Sequence, residues 1–258
     1  MDNNVFAAYS EYYDLLYKDK NYETETNYVE GLIKEYVPNA STILELGCGT
    51  GIHASKFAKK DFKVLGIDRS ETMLQHAKML KSKLPDSISQ NLTFSIGDIR
   101  SFFTEQKFDI VIALFHVMSY MTSDNDLTQA IQTAKKHLNK NGVFIFDCWH
   151  GPAVLFDKPV SRIKKFENEK VIINRQATPT LNFEKKVVEV NFDISICDKI
   201  TNTTNNLNEV HVMRYLFFDE LDGLMKQNGL RIIYSAEWLT KNNLSNTTWN
   251  ACYVCKPI

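Results

Sequence analysis

The stretch Thr42-Ile43-Leu44-Glu45-Leu46-Gly47-Cys48-Gly49-Thr50-Gly51 is a short apolar, partly β-branched run that ends directly in three glycines. That is the pattern of a buried parallel strand entering a turn. Glycines at 47, 49 and 51 let the backbone approach a ligand where any Cβ would collide. From His53 to Lys60 the residues favour a helix, so the unit reads strand, glycine loop, helix. A dinucleotide fingerprint needs Gly-x-Gly-x-x-Gly, and the residue three after Gly49 is Ile52, a spacing that fits a nicotinamide site poorly. A turn that merely connects strand and helix is the plain alternative, and the ends of the following strands decide between the two.

Downstream, Lys63-Val64-Leu65-Gly66-Ile67 predicts a second strand that stops at Asp68, and Ser70 caps a helix running through Met73, Leu74, Ala77 and Leu80. Asn91 to Ile96 predicts a third strand, ending in Gly97-Asp98, and Phe108 to Leu114 a fourth. Asp126 to Leu138 reads as the next helix, stopped by Asn141-Gly142 and followed by the strand Val143 to Asp147. Strands alternating with helices predict a parallel sheet with right-handed crossovers. Upstream, Tyr22, Val29, Leu32, Ile33 and Tyr36 stand at helical spacing, with Pro38 as the stop.

After Trp149 the pattern changes. Alternation such as Lys185 to Ile194 suggests antiparallel strands between Ile163 and Leu216, with Thr201 to Asn206 as a polar hairpin connection. Phe218 to Asn228 returns to helix, and Leu230 to Ala236 and Trp249 to Lys256 supply two last strands. The fold expected is α/β: a Rossmann-like, seven-stranded, mostly parallel sheet with helices on both faces and a β-rich antiparallel insert between strand 5 and the last helix. The chain divides into a helical lid and core over 1–150, an insert over 151–216, and a C-terminal helix with two strands over 217–258.

A chain of 258 residues, 44% hydrophobic and 24% charged, has the composition of a globular protein. The net charge is −1 and the positive residues are scattered, so no concentrated basic field serves a phosphate backbone and no nucleic-acid partner is expected. Five cysteines include one Cys252-x-x-Cys255 pair without further nearby ligands, a weak case for zinc, and no metal is expected. The odd cysteine count, Met1-Asp2-Asn3-Asn4 without a leader pattern, and no run of roughly 18 apolar residues lead to the expectation of a soluble, cytoplasmic protein that does not enter a membrane. The edges of a β-rich insert leave a homodimer open.

The strand ends carry acids. Asp68 follows the glycines by about twenty residues, where open α/β sheets place a carboxylate that accepts both ribose hydroxyls. Asp98 ends the third strand, where its carboxylate can accept from an adenine amino group while the Ile99 amide donates to a ring nitrogen. Glycines, Asp and Asp on three consecutive strand ends are harder to attribute to capping than any one of them alone.

With these residues the sequence resembles class I S-adenosylmethionine methyltransferases, through Glu45 to Gly51, Gly66-Ile67-Asp68, Gly97-Asp98-Ile99-Arg100 and Phe108-Asp109-Ile110-Val111. Tyr12-Tyr13-Asp14-Leu15-Leu16-Tyr17, Tyr22, Glu25, His53 and Glu209-Val210-His211 leading into Arg214 are similar to the sugar-nucleotide aminosugar N,N-dimethyltransferases. The resemblance implies S-adenosylmethionine as cofactor and S-adenosylhomocysteine as product. It implies Glu45 as an anchor of the glycine loop, Asp68 at the ribose, Asp98 and Ile99 at the adenine with Met73 packed on it, and Tyr22 at the methionine carboxylate. Gly47, Cys48, Gly49, Thr50, Arg69 and Leu114 complete the implied cofactor contacts, with Tyr13 closing over the cofactor as a second catalytic candidate.

His116, just beyond the fourth strand, lies where an acceptor enters and is the leading candidate for orienting it or taking its proton; a packed histidine is the plain alternative. Tyr120, Trp149 and His150 are candidates to line the acceptor pocket, and Arg214 to pair with a diphosphate or carboxylate, against an ordinary ion pair. The function expected is methyl transfer to a small polar acceptor, favouring the amino group of a nucleotide-linked amino sugar. Another small amine, carboxylate or hydroxyl acceptor stays open, as does a non-catalytic relative that only binds the cofactor.

Overall fold

The computed structural model describes residues 12–258. The first eleven residues of the expected N-terminal lid lie outside that range. A short helix α1 (Tyr13–Leu16) precedes α2 (Tyr22–Tyr36), whose N-cap Asn21 accepts from the Thr24 backbone N–H. Then β1 (Thr42–Leu46), α3 (Ile52–Ala58), β2 (Lys63–Asp68), α4 (Glu71–Ser82), α5 (Asp86–Ser89), β3 (Leu92–Ile96), β4 (Phe108–Ala113), α6 (Asp124–His137) and β5 (Leu138–His150) follow. Ser70 caps α4 by accepting from Met73 N–H, as its position in the sequence predicts.

A short helix α7 (Gly151–Phe156) leads into four strands, β6 (Arg162–Glu167), β7 (Val171–Asn182), β8 (Val187–Asp198) and β9 (Thr204–Leu216). Helix α8 (Phe218–Gln227) and strands β10 (Leu230–Glu237) and β11 (Asn250–Pro257) close the chain. The order β3-β2-β1-β4-β5 is parallel throughout, β11 pairs antiparallel with β5, and β10 pairs antiparallel with β11, which makes the seven-stranded core. The other four strands form an antiparallel meander that joins the core where Trp149 and His150 pair with Tyr215 and Leu216.

The side-chain period of two sorts each core strand onto two faces. Leu44, Leu46, Val111, Ala113, Phe144 and Phe146 pack with Leu127, Ile131 and Ala134 of α6 and Leu221 and Met225 of α8. Ile43, Ile110, Ile112, Val143 and Ile145 pack with Val29, Leu32 and Ile33 of α2 and Ala54, Phe57 and Ala58 of α3. The result is a sheet buried on both faces between helices, which is why its strands read as continuous apolar runs.

One expectation changes. Asn141-Gly142 does not stop α6: the helix ends at His137 and Gly142 lies inside β5, which starts at Leu138 rather than Val143. The pairing of β4 with β5 shifts register between Phe108 and Ile110, and a Cβ on Gly142 would stand 2.6 Å from the Asp109 carbonyl oxygen. The glycine serves close approach of two backbones at an irregularity, not a helix stop. No helix among the described residues is long and apolar enough to cross a membrane.

Candidate active site

A cavity of about 370 Å³ opens beyond the carboxyl ends of β1, β2, β3 and β4 and is roofed by the inner face of the insert. The loop that forms its floor is fixed by backbone geometry: Gly47, Gly49 and Gly51 all take positive φ. At Gly49 (φ +53) an added Cβ would meet nothing within 4 Å, so its missing side chain leaves open space on the cavity side, while its N–H donates to Asp68 Oδ2 at 2.9 Å. Asp68 Oδ1 accepts from Ser70 N–H at 2.9 Å. Burial raises the Asp68 carboxyl above its ordinary value, against the pull of these two amides. Each carboxylate oxygen retains further acceptor capacity toward the cavity.

Gly47, Cys48, Gly49 and Thr50 line the cavity with Asp68 and Arg69, and Met73, Ile99 and Leu114 give it apolar walls. Asp98 also lines it, but its oxygens receive Arg100, Nε at 2.9 Å and Nη2 at 2.5 Å. Arg100 holds the Asp98 carboxyl below its ordinary value and itself reaches Asp126 at 2.9 Å. Cavity size, the carboxylate at the end of β2 and the side-chain-free Gly49 fit an adenosyl group and its ribose.

Glu45 is not on the cavity wall. It is 2% exposed, the Ala54 backbone N–H of α3 donates to it, and burial raises its pKa to about 8. This places it beneath the glycine loop as a tie between β1 and α3. Beside it stands a network that single-residue reading missed. His53 Nδ1 lies 3.8 Å from Glu45 Oε1, and His53 Nε2 lies 2.7 Å from Glu25 Oε2, which also holds Lys20. Burial works to raise Glu25, but His53 and Lys20 outweigh it and bring its pKa to about 2; burial lowers His53. Tyr22 lines the cavity edge-on to the His53 ring, centroids 4.9 Å apart, with Lys20 Nζ 4.7 Å from the tyrosine centroid.

The other half of the cavity begins where β4 ends. Phe115 (φ +66) and His116 (φ +63) are consecutive non-glycine residues in the left-handed region, an uncommon and strained choice of backbone. The His116 N–H donates to Asp147 Oδ2 at 3.1 Å, and the 3₁₀ turn Val117–Tyr120 follows. His116 Nδ1 lies 2.7 Å from the same Asp147 oxygen, close but not aligned as a hydrogen bond. Asp147 is 1% exposed, so its carboxylate faces the imidazole from beneath.

Tyr13, Tyr120 and Trp149 line this half with His116, as do Val190, Phe192, His211 and Met213 of the insert. The Tyr13 and Tyr17 rings meet at a tilt with centroids 4.7 Å apart, and Tyr17 meets Phe115 edge-on. Tyr120 Oη lies 2.7 Å from His211 Nδ1, and His211 Nε2 lies 3.1 Å from Glu209 Oε2.

Two expected acceptor contacts do not reach the cavity. His150 is buried on the opposite side of β5, its Nδ1 3.2 Å from the Thr248 carbonyl. Arg214 is 4% exposed and holds Asp124 at 2.5 Å and Glu220, tying β9 to α6 and α8. Strand parity explains both: His150 is one residue from Trp149, and Arg214 is three from His211, so each points to the face away from its cavity-lining neighbour.

Residues 43–142 match the family model described as a methyltransferase domain. The chain is 27% identical over 88% of its length to a dTDP-3-amino-3,4,6-trideoxy-alpha-D-glucopyranose N,N-dimethyltransferase of Streptomyces venezuelae, covering 91% of that protein. It is 25% identical over 88% of its length to a dTDP-4-amino-2,3,4,6-tetradeoxy-D-glucose N,N-dimethyltransferase of Saccharopolyspora spinosa, covering 86% of that protein. The crystal structure of an S-adenosylmethionine-dependent methyltransferase from Clostridium acetobutylicum superposes with a TM-score of 0.79 at 20% identity, covering 98% of this chain and 99% of that one.

Proposed function

We propose that this chain, an S-adenosylmethionine-dependent methyltransferase, transfers methyl to the amino group of a nucleotide-linked amino sugar. The observation that carries the acceptor class is the extent of the likeness: the two aminosugar N,N-dimethyltransferases align with 88% of the chain, well beyond the 43–142 domain. The β-rich insert that roofs the acceptor half of the cavity lies outside that domain.

S-adenosylmethionine, when bound, supplies a methyl group on a sulfonium whose leaving thioether is neutral. The glycine loop, Asp68 and the Met73, Ile99 and Leu114 walls would hold its adenosyl end, with Asp98 at the adenine and Tyr22 near the methionine end. The acceptor half must hold a nitrogen in line at near-attack distance, an alignment worth about 7–11 kcal/mol in favourable cases. His116, set by its strained backbone and by Asp147, orients the acceptor; Tyr13, Tyr120 and Trp149 enclose it. Apolar and aromatic surface from the insert keeps water from this half.

Incubating the protein with S-adenosylmethionine and a panel of dTDP-linked amino sugars, beside sugar-free amines, carboxylates and alcohols, tests the reading by mass analysis. Gains of one or two methyl groups confined to the amino sugars are expected. Methylation confined to the other compounds would overturn the acceptor class, and cofactor binding without any methylated product would favour a binding-only relative.

A further inference from the structure

We propose that Tyr120, His211 and Glu209 form the proton outlet for the amine acceptor, with the Tyr120 oxygen accepting from the acceptor's N–H. The proposal rests on the amine reading of the acceptor above. Tyr120 and His211 come from elements 91 residues apart and meet on the cavity wall at 2.7 Å, with Glu209 3.1 Å behind the imidazole.

The direction of the chain follows from its end. A carboxylate only accepts, so the proton on the imidazole stands at Nε2, facing Glu209. Nδ1 is then bare, and Tyr120 must donate its hydroxyl proton to it. The tyrosine oxygen, its own proton so committed, can only accept from anything else it meets. An oxygen of that kind on the wall of the acceptor half selects a donor, which an ammonium or amine is and an ether or carboxylate is not.

The setting argues against a merely structural role. Glu209 and His211 are 8% and 5% exposed on the inner face of a sheet that also carries Val190, Ile194, Ile196, Met213 and, opposite Ile194, the buried Arg175. Burying a carboxylate there costs desolvation that an apolar residue would not incur. Phe192 meets His211 edge-on, centroids 5.0 Å apart. Besides His211, the charged or titratable groups acting on Tyr120 are Tyr17, Glu209 and Arg69, and Arg175 lies over the rings of Tyr17 and Phe192. Burial raises the Tyr120 hydroxyl, with Tyr17 and Glu209 adding to it against Arg69, so the tyrosine passes a proton along rather than resting as a phenolate.

The step balances without a further reactant. The acceptor ammonium gives one proton to the Tyr120 oxygen as the hydroxyl proton moves to His211 Nδ1. The products are a neutral amine, an intact tyrosine and an imidazolium facing the Glu209 carboxylate, from which the proton leaves to water. A monomethylated ammonium must lose a proton again before a second transfer, so the same chain acts twice in dimethylation.

Two measurements on the full chain test this. In ¹⁵N-histidine NMR with S-adenosylhomocysteine bound, His211 is expected to carry its proton at Nε2 with Nδ1 bare; the reverse tautomer overturns the proposal. The pH profile of kcat/KM for an amine acceptor is then compared between wild type, Tyr120→Phe and the milder Glu209→Gln. Both variants should lose about 100-fold on the acid side, recover as pH approaches the amine's own pKa, and accumulate monomethyl product. An equal loss at every pH, or an unshifted profile, overturns the outlet. A wild-type enzyme that methylates no amine instead removes the acceptor class, and the tautomer still decides the direction of the chain.

Discussion

The two halves of the cavity are made in different ways. The half proposed for the adenosyl group comes mainly from three short runs, 45–51, 66–73 and 97–100, each a strand end with its following turn, with Leu114 added at the end of β4. The half proposed for the acceptor is assembled from Tyr13, His116, Tyr120, Trp149, Phe192 and His211, side chains that only the tertiary fold brings together. A half built from backbone at strand ends tolerates change elsewhere in the chain. A half built from distant side chains depends on how the insert is attached to the core.

The largest effect expected is on attachment. Arg214→Ala removes the buried guanidinium that ties β9 to α6 and α8 through Asp124 and Glu220. Asp124 is exposed and Glu220 keeps Lys186 at 3.3 Å, so no buried charge is orphaned, and the cost expected is about 3 kcal/mol from two hydrogen bonds to charged groups at roughly 1.5–3 kcal/mol each. Thermal unfolding should fall accordingly, while the KM for an acceptor at a temperature where the variant is folded stays near wild type. A raised KM with unchanged stability would instead restore Arg214 as an acceptor contact. Next in size, Asp68→Ala should weaken S-adenosylhomocysteine binding by about 100-fold in calorimetry, since hydrogen bonds to a charged group are worth roughly 1.5–3 kcal/mol each. Untouched affinity would dissolve the distinction between the halves, because the adenosyl end would then lack its defining carboxylate.

The third test works on the acceptor half alone. Asp147→Asn keeps the shape beneath His116 but replaces a carboxylate with an amide, and kcat should fall by about 10- to 100-fold while S-adenosylhomocysteine affinity remains. A loss confined to cofactor affinity would move His116 out of the acceptor half.

What the sequence disclosed follows the same division. Strand-loop-helix units, glycines with positive φ, the Ser70 cap and the acids at strand ends are local features, and their spacing carries them into three dimensions. Asp147 sits in an apolar run whose spacing does not distinguish it, and it became visible only when the turn after β4 brought His116 over it. The Glu209, His211 and Met213 set was legible in part: alternation puts those three on one face and Arg214 on the other, a parity sufficient to separate a cavity residue from a structural ion pair. The same parity separates Trp149 from His150. Which face of the insert would meet the core was not legible, because antiparallel strands of mixed polarity do not announce what they cover.

The last effect concerns the support under the half proposed for the adenosyl group, and its sign is fixed by burial. Glu45 is pushed from the ordinary 4.5 to about 8, so the folded protein favours its protonated form. A carboxyl raised in this way costs the fold nothing below pH 4.5, and its burden grows as pH rises from 4.5 toward 8. Glu45→Gln carries no charge at any pH and can still accept from the Ala54 N–H. It should therefore match wild type in acid and gain on it progressively as pH rises from 4.5 through 8, measured by urea unfolding across pH. A variant less stable at every pH would mean that the ionised carboxylate is held by partners stronger than His53 at 3.8 Å, and that the loop rests on a charge rather than on a neutral acid.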